Sequence, residues 1–209
     1  MAAMATPETA PPARVRNPRG EGDKLREQLV AATVELLDAE GDAARVSVRA
    51  IAKAAGVSPT ALYIHFPDRD ALVSAAVDRG FEAFNAAILD AAASTDEPIA
   101  RLRAMALAYL GFVDGQPALY AVIFSARRTT SRPSGAGAPV DRGEALDGLV
   151  RAVAAARPED APAEHREVAL AVWAALHGYG TLHARPPTEK RWPSRAKYVD
   201  RLLRAHLGA

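Results

Sequence analysis

Within Pro59–Phe66 (P-T-A-L-Y-I-H-F), four side chains have the chemistry to touch a nucleic-acid duplex. The Thr60 hydroxyl can bond a base edge or a phosphate, Tyr63 can donate to a phosphate oxygen, and Ile64 can press on a thymine methyl; His65 stands at the edge of the same set. Leu62 and Phe66, four residues apart, share the other side of a helix drawn through the segment and belong to a core. A Tyr and an Ile turned away from the core on so short a helix need a reason. A groove-facing surface supplies one. A small core helix with incidental surface aromatics is the bland alternative, and periodicity alone leaves the two balanced.

These residues must be held by short elements, and the flanking sequence provides them. Ser58-Pro59 reads as an N-cap followed by proline at the first helical position, and Phe66-Pro67 closes the helix because the residue before proline is pushed from helical angles. Upstream, Ser47 caps a helix that buries Val48, Ile51 and Ala52 and stops at Gly56, a position suited to positive φ. Two short helices about a glycine turn form a helix-turn-helix whose second helix can enter a major groove. The expected contact set is Ser47, Arg49, Lys53, Ser58, Pro59, Thr60, Tyr63, Ile64, His65 and Arg69. Lys53, Tyr63 and His65 are the expected phosphate anchors with Arg49 weaker, and Thr60 and Ile64 the expected base readers.

The run from Ser47 to Leu72, A-x-x-A-G-V-S-x-x-x-L-Y-x-H-F-P-x-[KR]-[DE]-A-L, resembles the DNA-binding domain of the TetR family of bacterial transcriptional regulators. Gly56, Leu62, Tyr63, His65, Phe66 and Leu72 stand where the pattern wants them, and Leu25–Glu40 fits the family's first helix. The sequence departs from the pattern at Ile64, where long polar or aromatic side chains are usual, and at Asp68, where Ser is frequent. The resemblance implies an all-α protein: an N-terminal three-helix helix-turn-helix domain, then a C-terminal helical domain for effector binding and dimerisation.

Composition agrees with helices packed through small side chains: 49% of the 209 residues are hydrophobic, only 6% are aromatic, and alanine dominates. There is no cysteine, which removes disulfides and thiolate metal sites. No apolar run reaches the length of a membrane span and the N-terminus lacks a signal-peptide core, so a cytoplasmic chain without membrane contact is expected. Net charge is only +1, but its distribution matters more: Arg14, Arg16, Arg19, Lys24 and Arg26 precede the first helix, and Arg45, Arg49, Lys53 and Arg69 surround the helix-turn-helix. Arg26 and Arg45 fit ordinary solvated charges as well as contacts. Residues 1–23 read as a disordered tail whose basic part is either a DNA-reaching arm or, more simply, flexible chain.

Residues 24–70 are expected to form the DNA-binding domain and 71–209 the effector and dimerisation domain. A long helix starts at Asp68 with Val73, Val77, Gly80, Phe81, Phe84 and Ile88 on one face. Residues 127–143, rich in Gly, Pro, Ser and Thr, read as a mobile loop. Met105, Tyr109, Phe112, Tyr120, Phe124, Trp173 and His177 are the candidate wall of a small-molecule cavity, with a solid core as the alternative. Acidic residues are scarce among them, which favours a neutral or aromatic effector over a cationic one. Trp173-Ala-Ala-Leu-His177-Gly178 resembles a W-x-x-x-H-G pattern of one TetR subgroup, and the family commonly dimerises through its last two helices, where Gly178 and Gly180 would suit close approach. His177 and His183 are six apart, not the three or four that aligns metal ligands on a helix, and no catalytic or dinucleotide fingerprint is present. No metal, cofactor or enzyme activity is expected. The reading is a homodimeric regulator of double-stranded operator DNA, a repressor released by a small molecule; the alternative is a ligand-binding or interaction protein with a vestigial helix-turn-helix.

Overall fold

Apolar residues recur every three to four positions from Leu25, and the first helix, α1 (Glu21–Glu40), turns Leu29, Val30, Ala32, Thr33 and Leu37 into the core. The buried Thr33 hydroxyl is satisfied by donating to the Leu29 carbonyl at 2.7 Å. The computed structural model describes residues 21–125, 141, 143–183 and 193–208. Most of the expected tail and of the expected loop, residues 1–20, 126–140 and 142, lies outside the described residues. Residues 21–23, expected in the tail, are helical, and Asp23 places a negative charge in the first turn where the helix dipole favours it.

Gly41, at φ +64°, ends α1 in the left-handed region that glycine alone enters freely. A 3-10 turn (Ala43–Arg45) leads into α2 (Val48–Ala54) and α3 (Pro59–His65). Both short helices carry the caps their sequence promised: Ser47 Oγ accepts from the Ala50 N–H at 3.2 Å, and Ser58 Oγ from the Ala61 N–H at 3.3 Å. Gly56, at φ +68°, makes the turn between them. Asp68 Oδ1 accepts from the Ala71 N–H at 2.7 Å and starts α4 (Arg69–Ala92).

The helix α4 straddles the expected boundary at residue 70. Its buried face is Val77, Gly80, Phe81, Phe84 and Ile88, as the spacing predicts, with Val73 half-buried. It packs against α1 on one side and against α5 (Pro98–Gly115) and α7 (Glu144–Ala156) on the other. A bend of 103° separates α5 from α6 (Pro117–Ser125), which lies across α1 and α4. The close approach of α6 falls on Gly80, where a Cβ would come 2.8 Å from Ile123 Cγ2. The last two helices are α8 (Pro162–His183) and α9 (Arg195–Leu207), tied by Tyr198 donating to the Ala175 carbonyl at 2.8 Å and by stacked Tyr179 and Tyr198 rings 4.4 Å apart.

Among the described residues there are nine α-helices and no strand, and no single helix is long and apolar enough to cross a membrane. One apolar core runs from Leu62 and Phe66 through α4 to Val199 and Leu203. Its centre is Phe84, which meets Tyr109, Phe112, Phe124 and Trp173 edge-on at 5.1, 5.3, 5.4 and 5.8 Å. Replacing Phe84 by Ala is expected to lower unfolding free energy by about 3–5 kcal/mol in urea titration. A loss under about 1 kcal/mol would mean that the layer collapses around the gap without cost.

Candidate DNA interface and ligand cavity

The seven residues of α3 are sorted by face as the sequence implied. Leu62 is fully buried and Phe66 nearly so, while Tyr63 is 53% exposed and Ile64 71% exposed. Thr60 and Pro59 are exposed beside them, and His65 is half-buried under the start of α1, where a Cβ on Gly22 would come 3.7 Å from its Cε1. Ser47 and Ser58 are exposed caps: each accepts from its helix through Oγ, which leaves the hydroxyl proton free to donate to a phosphate oxygen. Arg49 and Lys53 project from α2 into solvent, and among the described residues neither has a carboxylate within ion-pair distance. The result is a surface of unpaired cations and hydroxyls around one apolar and one aromatic side chain.

Arg69 is placed differently from the expectation that it faces DNA. Its Nε donates to the Val46 carbonyl at 2.6 Å, one Nη donates to the Ala43 carbonyl, and the other pairs with Asp70 at 2.7 Å. A guanidinium with its fork occupied this way holds the turn ahead of α2 and has little left for a phosphate. Arg26 lies over the Phe66 ring, 5.1 Å from its centroid, and Arg45 pairs with Glu40 at 3.2 Å. Both are internal contacts.

In the C-terminal half a cavity of about 600 Å³ opens between α6 and α8. Pro117, Ala118 and Ala121 form its apolar side, Tyr120 and Phe124 its aromatic wall, and Ser125, His177 and Thr181 its polar side. Of the seven expected lining residues, Tyr120, Phe124 and His177 are there. Met105, Tyr109, Phe112 and Trp173 do not line it: Met105 and Tyr109 are fully buried, and the half-buried Phe112 and Trp173 pack edge-on against Phe84. Period marks inward residues without separating those that line the cavity from those that pack on Phe84. Ala121, Ser125 and Thr181 went unnoticed, although Ala121 and Ser125 are four apart on α6 and Thr181 follows His177 by four on α8.

A buried polar cluster backs the cavity. Tyr109 and Tyr120 hydroxyls are 2.8 Å apart, and His177 Nδ1 is 2.6 Å from Tyr120 Oη and 3.2 Å from Tyr109 Oη. Burial pushes both phenols above their ordinary range and pushes His177 below the usual imidazole value, so all three are neutral near pH 7.

The outer face of α8 carries exposed Leu170 and Leu182, 44% and 56% accessible, with Ala174 and Gly178 between them. A Cβ on Gly178 would meet nothing within 4 Å, whereas one on Gly180 would come 3.1 Å from Val113 and 3.6 Å from Tyr120 Oη. Gly180 therefore serves packing within the subunit, not the subunit contact expected of it. Among the described residues Tyr63, Ile64, Leu170 and Leu182 are the exposed large apolar side chains, two on each of two surfaces. No group of three or more metal-ligating side chains occurs among the described residues.

These placements give Lys53 and Arg69 two different roles. Lys53→Ala is expected to flatten the slope of log K against log salt for DNA binding by about one unit without changing stability. Arg69→Gln is expected to lower the urea midpoint while keeping the wild-type slope. A slope change for Arg69→Gln at unaltered stability would return Arg69 to the contact surface.

Comparison with known proteins agrees with this geometry. The family model for bacterial regulatory proteins of the tetR family matches residues 29–76, and that for a tetracyclin repressor-like C-terminal domain matches residues 102–206. An uncharacterised helix-turn-helix type transcriptional regulator of Mycobacterium tuberculosis is 35% identical over 118 residues, so the match spans 56% of this chain and 56% of that protein. A protein of unknown function from Rhodococcus sp. RHA1 superposes with a TM-score of 0.72 at 30% identity, over 92% of this chain and 100% of its own. AibR, solved with isovaleryl coenzyme A and operator DNA, shares the fold at a TM-score of 0.63 and 15% identity, over 88% of this chain and 98% of its own. With both halves matched in order on one helical frame, the chain belongs to the TetR family of bacterial regulatory proteins.

Proposed function

We propose that this protein is a cytoplasmic, homodimeric repressor that leaves a near-palindromic operator when an uncharged small molecule enters the cavity between α6 and α8. The observation that carries the reading is the face separation of α3, which buries Leu62 and Phe66 and presents Thr60, Tyr63 and Ile64. In each subunit Pro59–Phe66 lies in one major-groove half-site, with Lys53, Tyr63, His65 and, more weakly, Arg49 on phosphates. The exposed stripe Leu170, Ala174, Gly178 and Leu182 on α8 is the surface the second subunit covers. AibR, bound to both a small molecule and operator DNA, supports the pairing of the two activities on this fold.

A gel shift on the DNA upstream of the protein's own gene, repeated over a salt series, tests the assignment. Specific, salt-dependent retardation is expected, and an interaction protein with a vestigial motif would give none. Ile64→Arg should then change which bases a binding-site selection returns, each altered preference being worth roughly 1–3 kcal/mol. An unchanged selected motif would remove Ile64 from base reading.

Release requires a contact between cavity and DNA-binding helices, and one is present. Asp38, on α1, accepts from the Leu119 N–H at 3.0 Å. Leu119 is the third residue of α6, so a carboxylate from the first helix caps the helix that walls the cavity. A ligand that displaces α6 pulls on α1, and the population moves away from the DNA-binding arrangement. Asp38→Ala is expected to leave operator affinity within a few-fold of wild type while weakening its response to effector about tenfold. A full effector response in this variant would exclude the cap as the coupling.

A further inference from the structure

The wall of the α6/α8 cavity narrows the chemistry of its occupant. Tyr109 is fully buried, and the partners within hydrogen-bond reach of its hydroxyl are Tyr120 Oη and His177 Nδ1. Two phenolic protons and one imidazole nitrogen meet within 3.2 Å. They are most simply satisfied in one direction: Tyr109 donates to Tyr120 Oη, and Tyr120 donates to His177 Nδ1 over the short 2.6 Å contact. The neutral ring then carries its hydrogen on Nε2, the edge turned away from Tyr120.

His177 lines the cavity, and among the described residues Nε2 has no hydrogen-bond partner. The ring is also held in place: Phe124 packs against it at 5.0 Å and Tyr120 at 5.7 Å between centroids. No described side chain lining the cavity is an acid, a lysine or an arginine. Tyr120 and Phe124 supply aromatic surface, and Ser125 and Thr181 supply adaptable hydroxyls.

We propose that His177 Nε2–H is a fixed hydrogen-bond donor in this cavity and that the effector is an uncharged, ring-bearing molecule presenting a carbonyl oxygen to it. The assignment rests on the proposed use of the cavity as the effector site and adds to it the polarity and the group recognised. Tyr109, buried and out of reach of a ligand, acts as a positioning residue that keeps the Tyr120 proton on Nδ1.

Two measurements on the full-length protein test this. The first needs no ligand. A long-range ¹⁵N–¹H correlation spectrum of the wild-type histidines, assigned with His177→Phe, is expected to show His177 protonated on Nε2 with an acceptor Nδ1. A proton on Nδ1 overturns the proposal. The second compares three probes of one shape by calorimetry: 4-acetylbiphenyl, 4-ethylbiphenyl and biphenyl-4-carboxylate. The acetyl compound is expected to bind about tenfold tighter than both others, the usual worth of one well-made hydrogen bond in a desolvated site, and His177→Phe should erase its advantage over the ethyl compound. Equal binding of acetyl and ethyl probes, or tightest binding of the carboxylate, overturns the donor role while leaving the cavity as an effector site. Binding of none of the three rejects the cavity itself, and the carbonyl ligand with it.

Discussion

A helix of seven residues cannot hold its own shape in water, and the DNA-facing surface depends on that limitation being overcome from outside. Nucleation is unfavourable and propagation over two turns does not recover it. The geometry of α3 is therefore set by Leu62 and Phe66 in the core, by the Ser58 cap and by Pro59, which enters the helix with its φ already fixed. The same holds for α2, another seven residues, with Ser47 at its start and the turn ahead of it gripped by Arg69. Arg69 also begins α4, so the long helix fixes the short ones from behind. What remains outside, Thr60, Tyr63 and Ile64, is free to be selected for contact because none of it is needed for folding.

The C-terminal half solves a different problem with the same composition. Alanine-rich helices approach closely, and glycines mark the tightest places: Gly80 under Ile123, Gly148 under Leu89, where a Cβ would come within 2.6 Å, and Gly180 under Val113. Close helices leave little room for a large internal chamber. The aromatic side chains pack edge-on around Phe84, and a cavity opens on the flank between α6 and α8. An aromatic layer and a cavity thus adjoin, sharing Tyr120 and Phe124. The polar cluster sits at their border, since a buried phenol needs a partner and a ligand needs a handle.

Much of this was legible in the sequence where local rules are strong. Ser47 and Ser58 cap the helices they were expected to begin, a helix starts after Asp68 as expected, and Gly56 takes the positive φ that its turn requires. The inward faces of α4, α5 and α6 followed from period. The sequence pattern could not say which inward residues border empty space, because a core contact and a cavity wall have the same periodicity. It could not foresee Arg69 turned to backbone carbonyls, because Arg69 lies 23 residues from Val46 and the Asp42-capped 3-10 turn does not announce which side chain will reach it. Nor could it pair Asp38 with Leu119, 81 residues away, since capping in cis has a signature and capping by another helix has none.

The size of the cap sets what it can do in the proposed release. Moving a two-state protein from one part in a hundred to ninety-nine needs a differential affinity of about 10⁴, or about 5.5 kcal/mol. A side-chain cap contributes about 0.5–2 kcal/mol, so Asp38 alone cannot supply a complete switch. In the proposed dimer two caps would act together, which brings the pair into the range of 1–3 kcal/mol typical of coupling between sites. The rest must come from packing that moves with α6. Ala118 abuts Gly41, where a Cβ would be 3.6 Å away, and Ile123 abuts Gly80 with no room for a methyl. A helix fixed at its N-terminus by a carboxylate and along its length by two glycine contacts shifts as a body, and α1 and α4 shift with it. α1 packs against α2 and α3, and α4 follows α3 in the chain, so in the proposed release a displacement of α6 would reach Thr60, Tyr63 and Ile64 through these two helices.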